Sequence, residues 1–203
     1  MHEYRGKRLF DFIVASIILI LLLPLLMISA ILVRVTSPGP VFFVQDRVGR
    51  YSRIFRVYKF RSMRENTADP IEMGQVDLDN DLITLVGRYL RRFKIDELPQ
   101  LWNIVRGEMS LVGPRPTLPE LAADYTPEQN RRLLVRPGLT GWAQVLGNTE
   151  LTWDERIKLD LWYLDRLSFR FDLKILFLTF KVIIYGQRVE AEVIDATGIR
   201  RSS

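Results

Sequence analysis

FIVASIILILLLPLLMISAILV, residues 12–33, is a run of 22 residues without a charge, broken near its middle by Pro24. At about 1.5 Å per residue it just reaches across a hydrocarbon core of about 30 Å as one helix, so length favours a membrane span. Pro24 argues against a straight span, because its ring displaces a backbone hydrogen bond and costs an uninterrupted helix about 3 kcal/mol unless the chain bends there. Charge argues the same way. Arg5, Lys7 and Arg8 precede the run, and Arg34, Arg47, Arg50, Arg53, Arg56 and Lys59 follow it against a single acid, Asp46. Loops rich in Lys and Arg stay cytoplasmic, so both ends ask for the same side of the membrane. A helix that enters, bends at Pro24 and leaves by the same face satisfies both. A cleaved leader fits less well: the run exceeds the roughly 7–15 residues of a signal-peptide core, and Ile31, Leu32 and Val33 continue it where a small-residue cleavage site would stand.

Outward from that segment, 203 residues with 48% hydrophobic content suit one compact domain (residues 37–203) on a membrane element (residues 1–36). The chain has no Cys, and its one histidine is the terminal His2. That removes disulfides, thiolate zinc sites, cysteine nucleophiles and Ser-His-Asp catalysis, leaving carboxylates, Lys, Arg and oxygen-liganded metals to carry any chemistry. A net charge of +5 and a pI near 9.6 fit an anionic partner. Nucleic acid is disfavoured, because the basic residues cluster beside a membrane element.

Pro38, Gly39 and Pro40 end the membrane helix, and the extended runs Val41–Gln45 and Ile54–Phe60, joined through the turn-prone Gly49–Ser52, predict a small hairpin. Residues 64–82 are polar, acidic and weakly periodic, as in a surface loop. Leu85–Phe93 reads as a short basic helix, and Leu98, Leu101, Trp102 and Val105 recur at helical spacing from a start near Asp96, with Gly107 ending that helix. LVGPRPTLPE, with three prolines, is extended or turned. Thr126 before Pro127 and Glu128 is an N-cap signature for a helix through Val135, RPGLTGWAQVLGN is a glycine-rich loop, and helical spacing resumes from Thr152 through Trp162. Phe171–Tyr185 is an apolar helix with Lys174 and Lys181 on one face, suited to a core or to the membrane interface. The fold class is therefore mixed α/β, mainly helical, with a re-entrant membrane helix, a small β-hairpin and interfacial amphipathic helices. No internal repeat or low-complexity tract is present.

Chemistry concentrates around KIDELPQLWNIVRGEMS, where Asp96 and Glu97 stand just ahead of a helix with Pro99 in its first turn. On spacing alone, an N-cap is the simpler role for Asp96. The alternative is functional: free N–H groups and the helix dipole keep Asp96 ionised and hold a phosphate nearby, an ionised Asp attacks phosphorus, and its neighbour holds magnesium against pyrophosphate charge. Lys59 and Arg61 in YKFRSM, Arg115 between two prolines in GPRP and Arg136 before Pro-Gly are candidate phosphate ligands. Asp77, Asp79 and Asp81 alternate as in a calcium loop, but Leu82 stands where glycine is required and Arg88 where glutamate is, so that reading fails. Asp77 and Asp79 also imitate the Asp-x-Asp of nucleotide-sugar glycosyltransferases, a pattern too short to be specific.

In order, the proline-broken membrane helix, QDRVG, YKFRSM, LRRFKIDELPQLWNIVRGEMSLVGPRP, VRPGLTGWAQV and KLDLWYL resemble the bacterial sugar transferase family, the monotopic polyprenyl-phosphate phosphoglycosyltransferases in their minimal form. The likeness covers about residues 5–185. It implies transfer of a phosphosugar from a UDP-sugar to undecaprenyl phosphate at the cytosolic face of the bacterial inner membrane, releasing UMP and starting a surface glycan. By the same resemblance Asp96 is the nucleophile that forms a covalent phosphosugar intermediate, and Glu97, beside Asp96, ligates Mg2+. Lys59, Arg115 and Arg136 match the phosphate-facing basic residues, and Gln144 and Asp160 occupy matching polar positions. One position departs from the family pattern: Leu23 precedes Pro24 where the helix break is usually Ser-Pro, and a serine could bond back to reinforce the bend.

Two rival readings stay in play from the sequence. A non-catalytic membrane adaptor would bind anionic lipid or a glycan-assembly partner, with Asp96 and Glu97 serving helix stability. A metal-dependent glycosyltransferase using Asp77 and Asp79 would release UDP instead of UMP. Residues 64–82 and 146–155 are the candidates for sugar specificity, and neither the donor sugar nor the oligomeric state is encoded in these spacings.

Overall fold

A computed structural model describes residues 3–64, 82–147 and 151–186. Within them the apolar run forms two helices, α1 (Lys7–Leu21) and α2 (Leu23–Thr36), bent by 61° at the intervening residue. Pro24 falls in the first turn of α2, where a missing N–H leaves no intrahelical bond unmade, so α1 ends and a new helix starts. The bend is reached with Leu23 in place of serine. Among the described residues no single helix is long and apolar enough to cross a membrane; only the bent pair meets that test together.

Strands β1 (Phe42–Val48) and β2 (Ile54–Phe60) pair antiparallel, with Phe42 opposite Phe60 and Val48 opposite Ile54. The hairpin expected from the sequence is thus present, its first strand three residues longer at the far end. Helix α3 (Leu85–Arg92) comes next, capped by Thr84 through a 2.9 Å bond from the Gly87 amide. Gly87 lies so close to the end of β2 that a Cβ there would sit 1.9 Å from the Ser62 carbonyl oxygen, and glycine permits the approach.

A 3-10 turn, Ile95–Glu97, precedes α4 (Gln100–Arg106). This corrects the capping role for Asp96. Pro99 stands at the N-cap of α4, and Asp96 belongs to the preceding turn, with no side-chain cap bond on either element. Gly107 ends α4 in a left-handed conformation, φ 84°, as its position in the sequence suggests.

The segment expected to be extended through its prolines divides in two. Ser110–Val112 forms β3, and Pro119 then opens the short helix α5 (Pro119–Ala123), using the same first-turn tolerance as Pro24. Thr126 accepts from the Gln129 amide at 3.3 Å, but the helix starts later than its N-cap signature suggests: Gln129–Leu134 winds as a 3-10 helix with Glu128 at its N-cap.

The glycine-rich stretch expected to be a loop instead holds β4 (Gly138–Thr140) and the one-turn helix α6 (Trp142–Leu146). Tertiary pairing overrides the local signal: β4 runs parallel to β3, and a Cβ on Gly138 would lie 2.1 Å from the Gly113 amide nitrogen. Helix α7 (Trp153–Asp165) begins with a complete capping box between Thr152 and Glu155. Helix α8 (Phe169–Tyr185) buries one side and exposes the other. Asp172 and Ile175 are buried in the core, whereas Phe177, Phe180, Ile184 and Tyr185 are exposed.

The core gathers Leu101 and Ile104 of α4, Met109, Leu111 of β3, Trp142 of α6, Leu159 and Tyr163 of α7 and Ile175 of α8, and Ala15 of α1 belongs to it. Polar anchors at Lys7, Arg8 and Asp11 fix α1 there. Lys7 is buried and its Nζ lies 2.5 Å from Asp172 Oδ2, an oxygen that also accepts from the Tyr4 hydroxyl at 2.9 Å, while Tyr163 donates to Oδ1 at 2.7 Å. Arg8 donates to the carbonyls of Ile104 and Val105 at the C-terminal end of α4, at 2.6 and 2.7 Å. Asp11 accepts from the Ser110 hydroxyl (2.7 Å) and the Leu111 amide (3.3 Å) of β3. The membrane-type helix is thus part of the domain core. The acidic segment 65–81, with Asp77 and Asp79, residues 148–150, and the chain after Gly186 lie outside the described residues.

Candidate active site

The dyad hangs between two helices. After α3 the chain reverses at Lys94, a non-glycine residue at φ 58°, and enters the 3-10 turn that carries Asp96 and Glu97. Asp96 is 9% exposed, and its Oδ1 has no hydrogen-bond partner among the described residues. A buried carboxylate oxygen without a donor is costly, and such atoms in a folded protein ask for a functional reason. Burial pushes the Asp96 carboxyl up to about 6, the neighbouring Glu97 adds to that, and Lys59, Lys94 and Arg91 oppose it.

Glu97 has the opposite surroundings. Its Oε1 accepts from Lys59 Nζ at 2.8 Å and from Arg115 NH2 at 2.9 Å. Burial alone would raise this carboxyl, but Arg115 and Lys59 outweigh it and hold Glu97 well below the usual carboxylate range. In return Glu97 raises Arg115, while burial lowers Lys59 against the pull of Glu97. Two adjacent carboxylates driven apart in acidity take different roles at neutral pH: Glu97 is always ionised, and Asp96 ionises near 6.

Position follows from sequence through β2 and β3. Lys59 sits near the end of β2, and Asn103, wholly buried on α4, bonds to that strand. Asn103 donates to the Arg56 carbonyl at 2.7 Å and accepts from the Tyr58 amide at 3.4 Å. These bonds fix α4, and the turn that precedes it, against the strand bearing Lys59. Arg115 extends from the loop after β3, stiffened by Pro114 and Pro116.

The other residues picked from the sequence are not drawn together at the dyad. Arg61 is buried and its NH2 bonds to the Ser37 carbonyl (2.7 Å) and hydroxyl (2.8 Å) at the end of α2, so its bonds go to the apolar helix pair. Arg136 bonds to Glu3 and, through Nε at 2.9 Å, to the Gly107 carbonyl at the far end of α4. Gln144 donates to the Leu139 carbonyl at 2.9 Å, within the β4–α6 turn. Asp160 pairs with Arg132 at 2.7 Å inside the protein.

Sequence reasoning missed Arg47, Arg91, Lys94 and Arg132. Burial and the neighbouring Arg115 push Arg47 down to about 10, still charged at neutral pH, and Arg91 acts electrostatically on both Asp96 and Glu97. The spacing of Arg91, five residues before Asp96 on the last turn of a basic helix, was the available signal. Near the dyad, among the described residues, stand Lys59, Arg115, Arg47, Arg91 and Lys94, an excess of cations over carboxylates suited to a polyanion such as a pyrophosphate.

An open cleft of about 520 Å3 lies elsewhere, at the start of α1, lined by Gly6, Arg8, Leu9, Phe12 and Arg50 among others. Arg8 ties that end of α1 to the opposite end of α4 from the dyad.

Among the described residues no group of three or more metal-ligating side chains converges. The dyad still fits magnesium, which binds through one or two carboxylates with substrate phosphates and water completing the shell. The ion pairs of Glu97 use only its Oε1, so its Oε2 would serve as one ligand, and a carboxylate oxygen of Asp96 would add a second.

The bacterial sugar transferase family model matches residues 2–186. The chain is 41% identical over 184 residues to "Uncharacterized sugar transferase EpsL" of Bacillus subtilis (strain 168), covering 91% of this chain and 90% of that one. It is 42% identical over 192 residues to the undecaprenyl-phosphate glucose phosphotransferase of Komagataeibacter xylinus, covering 89% of this chain and 36% of that protein. Identity is 40% over 186 residues to the UDP-glucose:undecaprenyl-phosphate glucose-1-phosphate transferase of Escherichia coli (strain K12), covering 85% and 39%. The chain thus spans nearly the whole of the first relative and well under half the length of the other two. Relatives that are transferases favour a transferase over a non-catalytic adaptor. With a match across residues 2–186 that takes in the dyad and every cation named around it, the chain belongs to the bacterial sugar transferase family.

Proposed function

We propose that this chain transfers a phosphosugar from a UDP-sugar to undecaprenyl phosphate at the membrane surface, releasing UMP, with Asp96 as the nucleophile. The observation that carries the reading is the buried Asp96 Oδ1, without a partner among the described residues, beside a Glu97 gripped by Lys59 and Arg115. An Asp96 oxygen attacks the β-phosphorus of the donor, and the bond from that phosphorus to the bridging oxygen breaks. UMP leaves with the electron pair, and the phosphosugar remains on Asp96 as an acyl phosphate. A phosphate oxygen of undecaprenyl phosphate then attacks the same phosphorus, restoring the Asp96 carboxylate and giving the lipid diphosphosugar.

Asp96 is mostly ionised at neutral pH, and among the described residues its Oδ1 has no hydrogen bond to break before it attacks. Lys59 and Arg115 carry positive charge to the place where leaving-group charge develops, and Arg47 and Arg91 add to it. Magnesium, held by Asp96 and Glu97, would offset pyrophosphate charge and so favour departure of UMP.

Membrane placement completes the proposal. The bent pair α1 and α2 inserts and returns on the cytosolic face. Both ends of the pair bond to the same domain, Lys7 and Arg8 at one end and Ser37 at the other. Exposed apolar residues stand on the pair, at Ile17, Ile20 and Met27, and on α8, at Phe177 and Phe180, side chains suited to lipid.

Purified protein, magnesium, undecaprenyl phosphate and a panel of UDP-sugars should yield UMP, and Asp96→Asn should abolish it. Full activity in that variant would overturn the nucleophile, and UDP as product would instead support a glycosyltransferase acting through Asp77 and Asp79.

A further inference from the structure

Arg132 stands outside the dyad, yet it is 3% exposed and uses every face of its guanidinium. Its Nε and NH2 donate to Asp160 Oδ2 at 3.0 and 2.7 Å. Its NH1 donates to the Tyr125 hydroxyl and, at 3.4 Å, to Thr117 Oγ1. The group lies 5.4 Å from the ring centres of both Tyr125 and Trp153. NH2 also reaches, at 3.4 Å, the backbone carbonyl of Arg115, the residue whose side chain grips Glu97.

The loop that carries Arg115 has little means of holding itself. Pro114 and Pro116 remove the amide donors on both sides. Its carbonyls are held from outside: Pro114 by the Gly138 amide at 2.8 Å, Pro116 by Arg47 at 3.3 Å, Thr117 by the Val48 amide at 2.9 Å. At Arg115 itself that donor is Arg132, which is anchored in turn to α7 through Asp160.

We infer that Arg132 is a positioning residue: braced by Asp160, Tyr125 and Thr117, it holds the main chain of Arg115 so that the Arg115 guanidinium meets Glu97. The inference deepens the proposed phosphosugar transfer and, for its kinetic consequence, rests on it. A lysine cannot replace this fork, because one ammonium cannot satisfy Asp160, Tyr125 and the Arg115 carbonyl in a fixed plane.

The test is a cycle on the full chain in lipid nanodiscs, with the UDP-sugar that gives the most UMP. Arg132→Lys should lower kcat by about tenfold or more while the donor KM moves less than about threefold, since a misplaced charge costs the reaction more than the ground-state complex. In an Arg115→Lys background the same change should cost less than about twofold, because the group being positioned is already altered. Equal losses in both backgrounds would show a general structural role and overturn the inference, as would wild-type kcat in Arg132→Lys. Should that variant fail to fold, Tyr125→Phe, which keeps the ring and removes one brace, should lower kcat by about threefold in the wild-type background and not in Arg115→Lys. An unchanged kcat in Tyr125→Phe overturns the inference. A crystal structure of the folded variant reads the geometry without turnover: the Arg115 to Glu97 contact should be lost, and its retention overturns the inference even if no UDP-sugar yields UMP. Absence of UMP from the wild-type protein, by contrast, defeats the proposed reaction alone.

Discussion

Asp96 is held where its charge is disfavoured, and that has a thermodynamic signature. Its folded-state pKa, about 6, stands above the ordinary 3.8. The fold therefore favours the protonated form, a contribution present below the ordinary value and lost as pH rises through 6. Asp96→Asn should raise the melting temperature at pH 8, by an amount reflecting up to about 3 kcal/mol, with the gain shrinking toward pH 4. Equal melting curves at pH 8 would refute it. In the active protein the same titration should appear as an acidic limb in the rate near pH 6, since the protonated carboxyl cannot attack. Spacing alone gives Asp96 a capping role, and only the motif around it, KIDELPQLWNIVRGEMSLVGPRP, marks the dyad as a candidate site in the sequence. Arg132 carries no such mark: in the run Arg131–Arg132–Leu133–Leu134 it looks like one of two solvated charges, and only the fold brings Asp160, 28 residues away, against it.

At the scale of elements, Pro24 announces a bend in the sequence and makes one in the structure, and the reason is positional. A proline two residues after a helix break sits in a first turn, where it is tolerated. The strand and one-turn helix within residues 138–146 were illegible, because glycine there signals a close parallel approach to β3 that no local pattern announces. The proposed re-entrant insertion of the bent pair makes a direct expectation. The chain has no cysteine, so Arg5→Cys and Thr36→Cys, both at exposed positions flanking the pair, give clean labelling sites. A membrane-impermeant maleimide should modify both in inside-out vesicles and neither in spheroplasts. Reaction from opposite sides would establish a crossing.

Across the whole molecule, one buried ionic centre joins the first helix to α8. Lys7 lies between Asp172 of α8 and Asp11 of α1, at 2.5 and 4.0 Å. Removing the cation leaves two buried carboxylates without compensation, a loss of about 3–5 kcal/mol. Lys7→Met should accordingly lower the melting temperature by at least about 6 °C. A melting point within about 1 °C of wild type would show that the centre contributes nothing net. Sequence patterning captured the architecture class and most helices, since their apolar repeats are local. It could not show that a lysine flanking the apolar run is an interior residue, because that depends on a partner 165 residues away.

The seating of α1 also bears on how the protein can be cut and joined. Ala15 fills the core, Arg8 holds the last carbonyls of α4, and Asp11 secures β3, so the first helix is no detachable tether. Deleting it to obtain a soluble fragment would remove a wall of the domain and loosen the far end of the helix next to the dyad. A natural or engineered fusion that keeps its activity would have to leave this helix in place.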